Sequence, residues 1–250
     1  MLLDLRPPSA AEPLDRFAAR YAAVRLAEGR GDWQPEDLEA LPWPGPRMPA
    51  AWEWSLRAGS YDCFYDQVLP VARAAAGALG PPKVLDLGAG VGWLGHRLAW
   101  LGWQALAMDL CPDPRVGLGA AALLQARLAR AEAEREAPDI GSLDAALADF
   151  HCLPLDDGTV HLVVFNAALH YSWSLAAALS EAWRCLAPGG VLAILDSPVY
   201  RDASAGAAMV AAQRRAFDED LGLEAAAPQG LGYLTVEPLR TVALFPAAQW

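Results

Sequence analysis

The chain has 250 residues, 54% of them hydrophobic, which is enough for one large α/β domain or a domain with an added cap. Its 19 basic and 30 acidic residues leave a net charge of −11. No basic stripe occurs, which argues against a nucleic-acid partner and fits a protein that handles a small molecule. Cys63, Cys111, Cys152 and Cys185 are scattered with no Cys-x-x-Cys pair, so no metal site is expected and a reducing, cytoplasmic setting is. The start, MLLDLRPPS, lacks the basic and apolar regions of a signal peptide, and no run of about 18 uncharged apolar residues could span a membrane.

Residues 1–80 read as a helical, proline-punctuated preface. Leu14 to Gly29 has helical spacing, with Phe17, Tyr21 and Val24 on one side. Residues 42–49, PWPGPRMP, must be loop. Ala51 to Leu79 is helical again, broken near Gly59 and Pro70. Trp33, Trp43, Trp52 and Trp54 sit in this preface, either packing it onto the core or lining a pocket.

From residue 83 strands and helices alternate. The pattern predicts strands over Lys83–Leu87, Gln104–Asp109, a short one near 146–148, Val160–Phe165 and Val191–Leu195. It predicts helices over Gly92–Leu101, Gly117–Ala137 and Leu175–Leu186, the last stopped by Pro188-Gly189-Gly190. Such alternation implies a mostly parallel, Rossmann-like sheet with right-handed crossovers and helices on both faces. Residues 81–250 are expected to form this domain.

The most informative stretch is Val84 to Gly92, VLDLGAGVG, an apolar strand feeding a glycine turn and then a helix. Gly90, Gly92 and Gly95 also satisfy the dinucleotide fingerprint G-x-G-x-x-G. In that motif a pyrophosphate rests on the helix N-terminus, and Asp86 would repel it. A ligand carrying positive charge would instead be attracted. Ligands of open parallel sheets lie at the carboxyl ends of the strands. Asp109 ends the second strand and could accept from ribose hydroxyls or merely cap a turn. Asp149-Phe150 follow the third and could meet an adenine edge, or Asp149 could be a loop acid. The fourth ends in Asn166-Ala167-Ala168-Leu169-His170-Tyr171.

Taken together, VLDLGAGVGWLG, AMDL, ADFHCLPLDDGTVHLVVFNAALHY and EAWRCLAPGGVLAILD resemble the successive motifs of the type 11 class I S-adenosylmethionine (SAM)-dependent methyltransferases. The resemblance covers residues 84–195. It implies that Asp86 and the backbone at Gly88, Ala89 and Gly90 hold the methionine part of SAM. It further implies Asp109 on the ribose, Leu110 against adenine, Asp149 and Phe150 at the adenine edge, and the Asn166 carbonyl toward the ammonium. Arg57 and Tyr61 are expected to reach the SAM carboxylate, for which a guanidinium fork is suited. The spacer between Asp109 and Asp149 is long and implies an inserted loop or helix.

His170 is the candidate general base, with Tyr171 and His151 weaker ones; a base is required only for a poor nucleophile such as a hydroxyl. The strand-four exit lacks the [DN]-P-P-[YF] of amino-methylating nucleic-acid enzymes, leaving a small-molecule acceptor. Two other readings stand beside methyl transfer: an NAD-type oxidoreductase, and a SAM-binding module without turnover. Tyr200 to Leu231 reads as a lid-like insertion, and Gly232 to Arg240 as the start of a helix. The family's last two strands therefore have no room. This predicts an incomplete sheet whose apolar fifth strand is open to edge-to-edge dimers.

Overall fold

The computed structural model describes all residues except 1, 44, 46–50, 78–79, 138, 222–229 and 243–250. Its centre is a six-stranded sheet built from β1 (Leu3–Asp4), β2 (Lys83–Leu87), β3 (Gln104–Asp109), β4 (Ser142–Leu147), β5 (Val160–Asn166) and β6 (Leu186–Leu195). The spatial order is β1-β4-β3-β2-β5-β6, and every pairing is parallel. The chain runs outward from β2 through β3 to β4, then returns to the other side of β2 as β5. The switch point therefore lies between β2 and β5, and the crevice beyond their carboxyl ends is the expected ligand site.

Side-chain alternation decides which residues enter that crevice. Along β2, Val84 joins the core layer that also contains Leu94, Leu98, Ala105, Leu124 and Leu162. Leu85 and Leu87 join the opposite layer with Val163, Phe165, Leu179 and Ala182. Asp86 points with Val84 toward α5 (Trp93–Trp100), a period-2 consequence of strand geometry. The remaining helices in chain order are α1 (Ala11–Ala27), α2 (Pro35–Ala40), α3 (Ala51–Gln67), α4 (Leu69–Ala76), α6 (Ala121–Glu134), α7 (Leu175–Cys185), α8 (Ala203–Leu221) and α9 (Val236–Val242).

Several elements differ from the sequence expectation. The preface is not purely helical: Leu3 pairs with Ala146 and Asp4 with Leu147, so the chain's start extends the sheet. Two residues are too few to show periodicity. β4 begins at Ser142, because Gln104 to Asp109 of β3 supply six partners in register. β6 begins at Leu186 rather than Val191; Leu186 pairs with Val160, and the register slips before Leu162 meets Val191. Pro188-Gly189-Gly190 therefore lies within the strand, at this irregularity, instead of before it. The helix expected over Gly117–Ala137 opens with a 3-10 turn at Leu118–Ala120 and closes at Arg135, which takes a left-handed φ of 53°.

Val191 to Leu195 is apolar throughout, and its residues are half-buried apart from Ala193. Among the described residues nothing pairs with the outer side of β6. The region expected as a lid contains α8, flanked by a second small sheet in which β7 (Val199–Tyr200) pairs in parallel with β8 (Leu234–Thr235). The expected helix at Gly232 thus starts only at Val236, after β8. The long spacer after Asp109 folds against α1, where Cys111 and Val116 pack on Ala18 and Ala22. The expected loop over residues 42–49 falls mostly outside the described residues. No described helix is long and apolar enough to cross a membrane.

Candidate functional site

The turn after β2 is shaped by Gly88, whose φ is 68°, against Ala168 of the β5 exit. A side chain on Gly88 would collide with Ala168; one on Gly90 would project into open space. Gly90 therefore presents bare backbone to the crevice. Asp109 fixes this loop: its Oδ2 accepts from the Gly90 amide at 2.8 Å and its Oδ1 from the Cys111 amide at 2.8 Å. Burial pushes the Asp109 carboxyl up, and these amides pull it back down without cancelling the rise.

Asp86 is 1% exposed. Its Oδ2 accepts from the Gly95 amide at 3.2 Å, while its Oδ1 has no partner. Burial pushes its carboxyl up to about 7. Asn166 Oδ1, at the end of β5, is likewise buried and unpartnered. Orphaned buried acceptors cost stability unless a ligand satisfies them, and two acceptors at one strand switch fit a donor or a cation.

Two cavities meet at this point. The larger, about 560 Å³, is bordered by Asp86, Gly88, Ala89, Gly90 and Asn166. Arg57, His170, Asp196, Tyr200 and Arg214 also border it. The smaller is bordered by Asp109, Leu110, Ala148 and Phe150. Both share Phe17, Tyr21, Gly88, Ala167 and Tyr171.

The folded chain thus gathers most of the residues singled out in the sequence. Arg57, from α3, lies in the larger cavity with its guanidinium 4.7 Å from the Trp54 ring centroid. Burial, and then Arg30, lower its pKa. His170 is in the same wall, with Nδ1 3.3 Å from Ser197 Oγ. Burial, followed by the positive fields of Arg25 and Arg57, pushes the imidazole down to about 4. Of the four preface tryptophans, Trp33 and Trp54 both pack and line the cavity, while Trp52 is exposed.

Two expectations need correction. Tyr61 does not border either cavity; it is buried against Trp43, Phe64 and Trp93. Helical spacing places it a turn beyond Arg57 and on the core side. Asp149 does not border the smaller cavity either, although Ala148 and Phe150 on each side of it do. Its Oδ1 accepts from the His151 amide at 2.9 Å and meets His151 Nδ1 at 2.6 Å. Burial raises the Asp149 carboxyl, but these contacts outweigh it and leave the group below its usual range. His151 Nε2 in turn lies 2.8 Å from Ser172 Oγ. This chain of contacts straps the β4 exit to the β5 exit beside the smaller cavity.

Sequence reading did not find the contribution of α1. Phe17, Tyr21 and Arg25 reach the cavities from a segment far from every motif. The available signal was an aromatic pair at helical spacing, which packing alone also explains. Among the described residues no cluster of three or more His, Cys, Asp or Glu could hold a metal ion.

A parallel sheet with a glycine turn after β2, a buried acid at Asp86 within β2 and another, Asp109, at the end of β3 defines a Rossmann-like domain. Residues 85–194 match the family model described as "Methyltransferase domain", so this stretch of the chain is similar to the class I SAM-dependent methyltransferases. Over 139 residues the chain is 32% identical to a malonyl-[acyl-carrier protein] O-methyltransferase of Halorhodospira halophila, covering 51% of this chain and 42% of that one. It is 33% identical over 109 residues to a protein of the same description from Yersinia pestis, covering 44% and 34%. The chain thus spans less than half the length of these curated relatives. Among solved structures it resembles a candidate sarcosine dimethylglycine methyltransferase from Galdieria sulphuraria, with a TM-score of 0.50 and 18% identity, over 93% of this chain and 73% of the other. That likeness concerns the fold.

Proposed function

We propose that this chain transfers the methyl group of SAM to an acceptor bound in the same large cavity. The observation that carries the reading is the pair of unpartnered buried oxygens, Asp86 Oδ1 and Asn166 Oδ1, on residues that border the same cavity as the bare backbone at Gly90. In this reading Asp86 and Asn166 receive the ammonium, helped by the backbone at Gly88 and Ala89. Arg57 receives the carboxylate. Asp109 accepts from the ribose hydroxyls, while Leu110 and Phe150 enclose the adenine. Asp149 needs a turn of its side chain away from His151 to meet the adenine amine.

SAM supplies a methyl group activated by its sulfonium. The protein's part is to align an acceptor and exclude water, which can contribute on the order of 7–11 kcal/mol. His170, Tyr200 and Arg214, which border the same cavity, form the acceptor wall in this reading. The curated relatives are named for O-methylation of a malonyl group on a carrier protein. An oxygen nucleophile, free or carried on a thioester, is therefore the acceptor class to test first; Arg214 favours one bearing negative charge.

Calorimetry against SAM, S-adenosylhomocysteine and NAD tests the reading, followed by radiolabelled methyl transfer to carboxylates, amines and carrier-bound acids. Micromolar SAM binding is expected, roughly −8 kcal/mol. Tight NAD binding with no SAM binding would overturn it. SAM binding with no transfer to any acceptor would reduce the chain to a binding module.

A further inference from the structure

Phe17, Tyr21 and Tyr171 form a closed triangle of rings at the junction of the two cavities. Their centroids are 6.4 Å (Phe17–Tyr21), 6.0 Å (Phe17–Tyr171) and 6.1 Å (Tyr21–Tyr171) apart. None of the three is buried in the core; each is half-exposed and borders both cavities. Gly88 and Ala167 form the wall common to the same junction. We propose that this triangle is an aromatic cage that receives the sulfonium of SAM and lets the protein distinguish SAM from its neutral product.

The inference rests on the SAM reading and goes beyond it. The orphaned oxygens of Asp86 and Asn166 border the larger cavity, and Asp109 borders the smaller. A ligand whose amino-acid end answers the first pair and whose ribose answers Asp109 has its middle at the shared wall. That middle carries the permanent positive charge. Aromatic faces attract such charge, and cages of several rings recognise organic cations that cannot donate hydrogen bonds. A sulfonium is a cation of this kind.

One nearby charge opposes the idea and is compensated. Arg25 stacks on Tyr21 with 5.0 Å from guanidinium to ring centroid, and its Nη2 donates to the Tyr171 hydroxyl at 3.0 Å. Its Nη1 donates to both Glu28 carboxylate oxygens, at 2.8 and 3.1 Å. Glu28 is shared with Arg30 at 2.8 Å, which Glu53 also holds at 2.9 Å, so two carboxylates answer the two cations while Arg25 fixes two of the rings.

The same chemistry could serve an acceptor ammonium instead of the sulfonium. Binding without acceptor separates the two. SAM and S-adenosylhomocysteine share adenosine and amino-acid parts and differ by one methyl and one charge, so their affinity ratio is insensitive to general damage. Calorimetry on Tyr171→Leu and the milder Phe17→Leu should show SAM weakened roughly 2- to 30-fold and S-adenosylhomocysteine nearly unchanged. Tyr171→Phe, which keeps the ring, should retain the parent ratio. An unchanged ratio in both leucine variants overturns the cage. So does weakening of tetramethylammonium binding in those variants while the SAM ratio stays constant, because the cage then serves an acceptor cation. Failure of the parent protein to bind either nucleoside overturns the SAM reading itself, a result distinct from an unchanged ratio.

Discussion

The two walls of the large cavity are built in different ways. On the cofactor side, the polar groups sit at strand ends and are held by backbone. Asp86 is pinned by the Gly95 amide, and Asp109, at the adjoining smaller cavity, by the Gly90 and Cys111 amides. On the wall that α8 supplies, Met209, Val210, Gln213 and Arg214 are half-buried or exposed, and Gly206 is its anchor under the Tyr233 ring. The difference teaches where specificity can vary. Altering the first wall breaks the strand switch, whereas altering the second changes an outer surface supported by few buried contacts.

The largest effect is expected where the first wall has no room to adapt. Gly88→Ala places a side chain against Ala168 at a left-handed φ, combining backbone strain of about 1–3 kcal/mol with steric collision. SAM binding should be undetectable by calorimetry, and thermal melting should show a less stable protein. The matched change on the other wall, Arg214→Ala on exposed α8, should leave melting unchanged. Equal destabilisation by both would show that the walls are not built differently. Next in size is Asp109→Ala, which removes acceptors for ligand and loop together. A loss of about 1.5–3 kcal/mol in SAM affinity is expected. A folded variant that binds like the parent would remove Asp109 from the ribose.

The contrast between the walls also explains what could be read in the sequence. β2, β3, β5 and the glycine turn announce themselves because their determinants are local: apolar runs, a left-handed glycine, and acids one strand length apart. The same locality makes Asp86, Asp109 and Asn166 legible as candidates. Asp149 was legible as a position but not as a contact, since its partner His151 two residues on competes for the carboxylate. β1 and the aromatic residues of α1 were not legible. Leu3 and Asp4 become a strand only because β4 offers an edge, and Phe17 and Tyr21 become cavity walls only because the spacer after Asp109 folds beneath them. The start of β6 was misread because Pro188-Gly189-Gly190 resembles a turn, while pairing of Leu186 with Val160 carries the strand through it.

A smaller effect should come from pH. Burial raises Asp86 to about 7 in the free protein, so its protonated form competes with a cationic ligand below that pH. SAM affinity should strengthen roughly tenfold per pH unit up to about pH 7 and then level off, with proton release on binding in the lower range. The sign for stability is opposite. A carboxyl whose folded pKa lies above its unfolded value makes the empty protein progressively less stable as pH rises from the unfolded pKa toward about 7. Asp86→Asn should flatten both profiles. An affinity that does not change between pH 5.5 and 7 would place the ligand's cation away from Asp86.

The smallest expected effect concerns His170, in the turn that follows β5. General-base catalysis contributes its usual 10²- to 10⁴-fold when the base has a pKa near the working pH. His170 is far from that optimum, pushed down to about 4 first by burial and then by Arg25 and Arg57. Its imidazole is therefore neutral at pH 7 but has little drive to take a proton. His170→Gln should leave SAM affinity unchanged and lower turnover by less than about 100-fold, a loss of positioning against Ser197 more than of base strength. Nuclear magnetic resonance titration of the imidazole should give a midpoint near 4 in the empty protein. An anionic acceptor beside His170 would offset the positive charges that depress it and raise that midpoint. If the midpoint climbs above about 6 with acceptor bound and His170→Gln loses more than about 100-fold, His170 acts as the base after all. The acceptor would then have tuned its own proton acceptor.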